Sequence, residues 1–227
     1  MNFERHDGRY CRRPRRRKNM GTIRLELFAT LDLVAQAPGG PEEDPTGFPF
    51  GGWQAPLMHE LTGAQVQAAY EGTDALLVGR RTYDIFAAYW PHQEGGQDDS
   101  IATLFNRVPK YVASRGTPDL SWNGSTHLGS DLASAIGEIK NRHQDIKVVG
   151  SLNFVQTLVR EKLFDRIDLW LYPIVLGVGK KVFDGGAVPT NLELLAPPEA
   201  TDNGVTYLQY GRLDGTPQTG DMSAERQ

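Results

Sequence analysis

The chain has 227 residues, 39% of them apolar, which fits one sizeable domain better than two. Its net charge of −4 is unevenly spread: residues 1–20 carry +6 and the remaining 207 carry −10, so the acidic body excludes a broad nucleic-acid-binding surface. A single cysteine, Cys11, excludes an intrachain disulfide, the five scattered histidines lack metal-ligand spacing, and no apolar run is long enough to span a bilayer.

The run Arg12–Lys18, followed by Leu25–Ala35 and Ala35-Gln36-Ala37, superficially resembles a secretory signal and its cleavage site. Glu26 and Asp32 interrupt the would-be apolar stretch, and the same residues read as a first core strand. Residues 1–20 are therefore expected to be a disordered basic leader, with Met20 opening the body; a nucleic-acid-binding arm is the other reading. Residues 214–227 are expected to be a disordered tail. Cytoplasmic location follows from these expectations, with no nucleic acid or membrane as partner.

Ile23–Leu33 is rich in aliphatic and β-branched residues and reads as strand one. A long Gly/Pro/acidic loop, 38–56, follows and holds Phe48, Phe50 and Trp53; loops of this length are usually functional or disordered. Leu57, Leu61, Ala64, Ala68 and Ala69 recur at helical spacing. Ala75–Val78 is a buried strand closed by Gly79, and Thr82–Tyr89 and Ile101–Arg107 read as helices, with a polar loop at 91–99 between them. Lys110–Ser114 is a strand. Leu132, Ile136 and Ile139 mark a helix capped by Ser130 or Asp131. Ile146–Val149 is a strand ending at Gly150-Ser151, from which a helix runs to about Lys162. Ile167–Leu171 is a strand, Gly177-Val178-Gly179 a turn, and Leu192–Leu195 with Thr206–Arg212 a closing antiparallel pair. Strand and helix alternate and then strands finish the chain, which indicates an α/β sheet, mostly parallel, with an antiparallel edge.

Three strand ends suit phosphate. At Gly150-Ser151-Leu152-Asn153 small residues admit a close approach, and free helix N–H groups point at an anion. Gly79-Arg80-Arg81-Thr82 adds two guanidinium groups, and Ser114-Arg115 a hydroxyl and a third. Strand ends are where open α/β sheets bind ligands, and a dinucleotide with a 2′-phosphate would use all three.

The run Leu76-Leu77-Val78-Gly79-Arg80-Arg81-Thr82-Tyr83 resembles the cofactor-binding segment of dihydrofolate reductases. Val148-Val149-Gly150-Ser151, Leu163-Phe164-Asp165-Arg166-Ile167, Pro173-Ile174-Val175-Leu176-Gly177-Val178-Gly179 and Val182-Phe183 resemble the reductase domain of the bifunctional riboflavin-biosynthesis deaminase-reductase and its small single-domain relatives. The resemblance covers roughly 21–213. It implies a dihydrofolate reductase-like three-layer fold, with a central mixed sheet flanked by helices and NADPH across the strand ends. Cofactor contacts would come from Gly79, Arg80, Arg81 and Thr82, from Ser114 and Arg115 at the 2′-phosphate, from Val149, Gly150, Ser151, Leu152 and Asn153 at the pyrophosphate, and from Ala29 and Thr30 beside the nicotinamide. A homodimer is also implied.

The sequence departs from the family at Gly150-Ser151, where relatives often have two glycines, and at Leu31-Asp32-Leu33, where they have Leu-Asp-Gly. The implied activity is hydride transfer to a small planar heterocycle, pterin- or pyrimidine-like, or to a carbonyl or imine. Reduction needs a proton as well. Asp32 and Glu60 are the candidate acids; Trp53, Phe50 and His59 are the candidate substrate contacts, with the loop 38–56 as a lid. The alternative is a non-catalytic NADPH- or ligand-binding protein on the same fold.

Overall fold

The computed structural model describes residues 20–58, 63–93, 100–184 and 188–222 with their side chains, and the backbone also at 4–6, 9–11, 60–62 and 99. Glu4–His6 and Arg9–Cys11 pair with each other and with no strand of the main sheet.

The main sheet has nine strands: β1 (Thr22–Thr30), β2 (Ala75–Gly79), β3 (Lys110–Ala113), β4 (Ser125–His127), β5 (Asp145–Val148), β6 (Arg166–Tyr172), β7 (Asn191–Leu194), β8 (Glu199–Ala200) and β9 (Thr206–Leu213). Their spatial order is β8-β9-β6-β1-β5-β2-β3-β4, with β7 also on β9. From β6 to β4 every neighbouring pair is parallel, whereas β9 runs antiparallel to β6, β7 and β8. The expected parallel body and antiparallel edge are both present. The short edge strand β4 and the two-residue β8 carry too little pattern to read from sequence.

Among the described residues five α-helices connect the parallel strands: α1 (Glu60–Ala69), α2 (Arg80–Tyr89), α3 (Asp99–Arg107), α4 (Leu132–Arg142) and α5 (Leu152–Arg160). Asp131 caps α4, its Oδ1 accepting from Ser134 N at 3.1 Å. α5 buries Phe154, Val155, Leu158 and Val159. No helix among the described residues is long and apolar enough to cross a membrane.

The two-residue period of β1 divides the interior. Ile23, Leu25, Leu27 and Ala29 join one apolar cluster with α4 and α5 residues such as Ile136 and Leu158. The opposite face belongs to a second, aromatic-rich cluster that includes Tyr70, Tyr83, Phe105, Trp170 and Tyr172. That face also carries charge at the centre of the sheet: Glu26, Lys147 and Asp168 are all 0% exposed.

Lys110 is another fully buried cation. Its ammonium donates to the carbonyls of Asn106 and Asn123, each at 3.0 Å, and stands 4.3 Å from the centroid of the Trp122 ring. It thereby ties the C-terminal turn of α3 to the segment before β4. Burial pushes its pKa down to about 8. In the unfolded chain a lysine titrates at about 10.4. Between those values the unfolded chain binds more protons, so the contribution of Lys110 to stability rises with pH. In urea unfolding, wild type should therefore gain stability relative to Lys110→Met from about pH 7.5 to about pH 10. A gap that stays constant with pH would contradict this account.

Candidate functional site

Two strand-to-helix junctions meet at the C-terminal ends of β2 and β5. Gly79 N donates to Gly150 O at 2.9 Å. A Cβ on Gly79 would lie 2.3 Å from Ser151 Oγ, and a Cβ on Gly150, whose φ is +150°, would lie 2.6 Å from Thr82 Oγ1. Glycine at both positions is what lets the turns interlock. The Gly150–Ser151 peptide is cis. α5 starts at this meeting point with Ser151 as N-cap, so its first N–H groups face the same space.

A cavity of about 370 Å³ opens there. Thr82, Val149, Gly150, Ser151, Leu152 and Asn153 line one end. Phe28, Tyr70, Phe86, Trp90, Ile101 and Phe105 form an aromatic and apolar wall, and Glu26 from β1 also lines it. The loop after β1 supplies the remaining wall through Ala35–Gly39, Glu43, Asp44 and Gln54, joined by Lys180.

Arg81 reaches across to this loop, donating to Glu43 O at 3.2 Å and to Asp44 Oδ1 at 3.1 Å. Asp44 also accepts from Thr46 N at 2.8 Å, Thr46 Oγ1 at 2.6 Å and Gln36 Nε2 at 2.5 Å, with Lys180 Nζ 3.8 Å away. Burial alone would raise the Asp44 carboxyl, but these hydrogen bonds and the Arg81 charge hold it well below the usual carboxylate range. Glu43 shifts the other way: burial raises it, although its Oε2 accepts from Gly39 N at 3.0 Å.

Glu26 sits in a denser network. Its Oε2 accepts from Lys147 Nζ at 2.8 Å and its Oε1 from Trp170 Nε1 at 2.6 Å. Lys147 also donates to Ala69 O and stands 4.4 Å from the Tyr70 ring centroid. Asp168, in register with Glu26, is held by Arg24 at 2.9 Å and by Arg166. Arg24 also pairs with Asp145 at 2.6 Å. Burial raises the Glu26 carboxyl and lowers the Lys147 ammonium.

Of the residues singled out from sequence, Arg81, Thr82, Val149, Gly150, Ser151, Leu152 and Asn153 line the cavity, and Gly79 supports it from behind. Arg80 points along α2 to Asp84, with Nε to Oδ1 at 2.7 Å, and is not among the lining residues. Ser114 and Arg115 follow β3, whose Ala113 is in register with Gly79; they stand at the same end of the sheet but outside the cavity lining.

Other residues singled out from sequence have different surroundings. Ala29 faces the opposite core, and the Thr30 hydroxyl is spent on Asp32 Oδ1 at 2.6 Å and on Val34 N at 3.0 Å, so the β1 residues at the cavity are Glu26, Leu27 and Phe28. Asp32 clamps a turn instead, accepting from Leu176 N at 3.2 Å and Gly177 N at 3.0 Å. The hydrogen bond from Thr30 lowers its pKa. His59 and the Glu60 side chain lie outside the described residues.

The loop 38–56 does border the cavity, but through Pro38, Gly39, Glu43, Asp44 and Gln54. Trp53 is 7% exposed, donates Nε1–H to Gln36 O at 2.9 Å and packs edge-on to Tyr172 at 5.3 Å. Phe50 is 42% exposed and meets Phe48 edge-on at 5.9 Å. Trp53 thereby anchors the loop.

Glu26 and Lys147 were missed because charges inside strands look like interruptions when each strand is read alone. The available signal was their phase: Glu26 lies between Leu25 and Leu27, and Lys147 between Ile146 and Val148, on one shared face. Among the described residues no group of His, Cys, Asp or Glu is arranged to hold a metal ion.

A family model described as the RibD C-terminal domain matches residues 21–207. The uncharacterized protein YyaP of Bacillus subtilis (strain 168) is 27% identical over 139 residues, which are 60% of this chain and 73% of that protein. A putative riboflavin biosynthesis protein from Shewanella sp. PV-4 superposes with a TM-score of 0.59 at 16% identity, covering 85% of this chain and 99% of that one. Dihydrofolate reductase from Enterococcus faecalis, complexed with NADP(H) and RAB-propyl, gives a TM-score of 0.54 at 15% identity, covering 86% of this chain and 98% of that one. The fold is accordingly α/β and dihydrofolate reductase-like.

Trp53 supplies a test of the loop's anchoring. Trp53→Ala should cost about 3–5 kcal/mol in denaturant unfolding, as expected of a buried indole. Unfolding indistinguishable from wild type would return Trp53 to the role of a mobile lid residue.

Proposed function

The chain belongs to the RibD C-terminal domain family, a family of reductase domains, and on that premise we propose that it is an NADPH-dependent reductase of a small, flat heterocyclic, carbonyl or imine substrate. The observation that carries this reading is the interlock of Gly79 with the Gly150-Ser151 turn, which brings Arg81, Thr82 and the start of α5 to one cavity.

These residues fit an extended dinucleotide. The N–H groups of Leu152 and Asn153 at the start of α5 suit a pyrophosphate, since a helix N-terminus is a ready-made anion site. Thr82 and Arg81 would hold it from the facing turn, with Arg81 exchanging Asp44 for a phosphate oxygen. Ser114 and Arg115, beyond β3, would take the 2′-phosphate, where a guanidinium offers paired donors. When bound, the reduced nicotinamide supplies the hydride; the chain supplies position and electrostatics.

The aromatic wall of Phe28, Tyr70, Phe86, Trp90 and Phe105 supports a planar substrate, and the cavity size lies within the range of small-molecule sites. The loop wall from Ala35 to Asp44 would keep water from the reacting atoms, which favours hydride transfer.

Isothermal titration with NADPH and NADH tests the reading. Wild type should bind NADPH more tightly, by a factor of about 10 or more if one charge-assisted contact of about 1.5–3 kcal/mol is involved. Arg115→Ala should erase most of that difference while leaving NADH affinity nearly unchanged. Equal affinity of wild type for the two nucleotides would defeat the assignment of Ser114 and Arg115.

A further inference from the structure

Arg81 is already engaged before any phosphate reaches it. Its Nη2 donates to Glu43 O at 3.2 Å and to Asp44 Oδ1 at 3.1 Å. Both acceptors belong to the loop after β1, whereas Arg81 lies in the first turn of α2, directly after β2. The sheet order at this point is β1-β5-β2, and the three strands are parallel. A bridge from the loop after β1 to the start of α2 therefore passes over the end of β5, where Val149 and Gly150 line the cavity.

The base of the loop is fastened on the β6 side of β1. Ala35 N donates to Lys180 O at 3.0 Å, Lys180 N to Gln36 Oε1 at 2.8 Å, and Gln54 Nε2 to Tyr172 Oη at 2.6 Å. The loop also folds on itself, with Gly52 N donating to Ala37 O at 2.9 Å and Gln54 N to Pro38 O at 3.2 Å. Residues 39–46 thus extend from a packed base, and Arg81 straps them to α2.

Asp44 can release Arg81 at little cost. The Arg81 side chain is 39% exposed, and an ion pair of that exposure contributes little. Its two bonds are also the longest in the set. After it leaves, Asp44 still accepts from Thr46 N at 2.8 Å, Thr46 Oγ1 at 2.6 Å and Gln36 Nε2 at 2.5 Å, with the Lys180 ammonium 3.8 Å away. A phosphate offers the freed guanidinium two charge-assisted bonds in its own plane, a stronger contact than the one given up.

We propose that Asp44 is a built-in competitor for the nucleotide phosphate: in the empty site Arg81 straps the loop across the β5 corner, and the arriving phosphate takes Arg81 and frees the strap. The proposal rests on the reductase reading and adds regulation to the same site. Linkage makes the effect reciprocal, so that a loosened strap tightens nucleotide binding and bound nucleotide loosens the strap.

Titration of NADPH into wild type, Asp44→Asn, Arg81→Gln and the double variant tests the competition as a double-mutant cycle. Asp44→Asn keeps an oxygen for Thr46 and should bind NADPH about two- to fivefold more tightly than wild type, the range of a partly exposed ion pair. In the Arg81→Gln background the same substitution should bring no such gain, since no guanidinium is left to release. Unchanged or weaker affinity in Asp44→Asn overturns the proposal. So does an equal gain in both backgrounds, which is general relief of charge repulsion.

A second arm leaves Asp44 intact. Glutamyl endopeptidase cuts after Glu42 and Glu43, and mass spectrometry follows those two cuts. Saturating NADP+ should speed them in wild type by about twofold or more, because cleavage follows the population of the opened loop. Arg81→Gln should be cut at the faster rate with or without NADP+. Cuts that NADP+ slows or leaves unchanged in wild type overturn the proposal. Wild type that binds no NADPH overturns the reductase reading and the strap together; normal NADPH binding with either contrary result counts against the strap alone.

Discussion

Glu26 and Lys147 lie 2.8 Å apart on neighbouring strands with no exposure to water, and the centre of the molecule is arranged around them. Each needs the other, since removing one partner of a buried pair strands an uncompensated charge. The pair fixes one face of β1 and β5 as polar, forces the apolar residues of both strands onto α4 and α5, and leaves Tyr70, Trp170 and Ala69 to satisfy what remains. Arg24, Arg166, Asp145 and Asp168 extend the same pattern, so the polar face is a connected lattice rather than an isolated defect.

The second constraint is steric and sits at the strand ends. A β-carbon on Gly79 would meet Ser151 and one on Gly150 would meet Thr82, and the hydrogen bond between the two glycines ties the starts of α2 and α5 to a common corner. The lattice lies just behind that corner. The start of α5 and Glu26 of β1 thereby border one cavity.

Much of this was legible in the sequence, and the boundary has physical causes. Strands and helices of the parallel body announce themselves by periodicity, as in Phe154, Val155, Leu158 and Val159 on α5. Glycines at strand ends were readable because few other residues tolerate such an approach. Trp53 was not readable: an indole in a loop serves equally as lid or anchor until the Gln36 carbonyl that receives its N–H is located. The surroundings of Asp32 were hidden for the same reason, since its partners Leu176 and Gly177 are far along the chain. Glu26 and Lys147 are 121 residues apart, and only the parallel register of β1 with β5 makes them neighbours.

The proposed nucleotide site is the corner between β2 and β5. Titration of NADPH into 15N-labelled protein, followed through backbone amide shifts, tests it most directly. The largest changes are expected at Gly79–Thr82 and Gly150–Asn153, with smaller ones along Glu26–Phe28. Changes confined to the antiparallel edge of β6, β7 and β9, with the two glycine junctions silent, would contradict it.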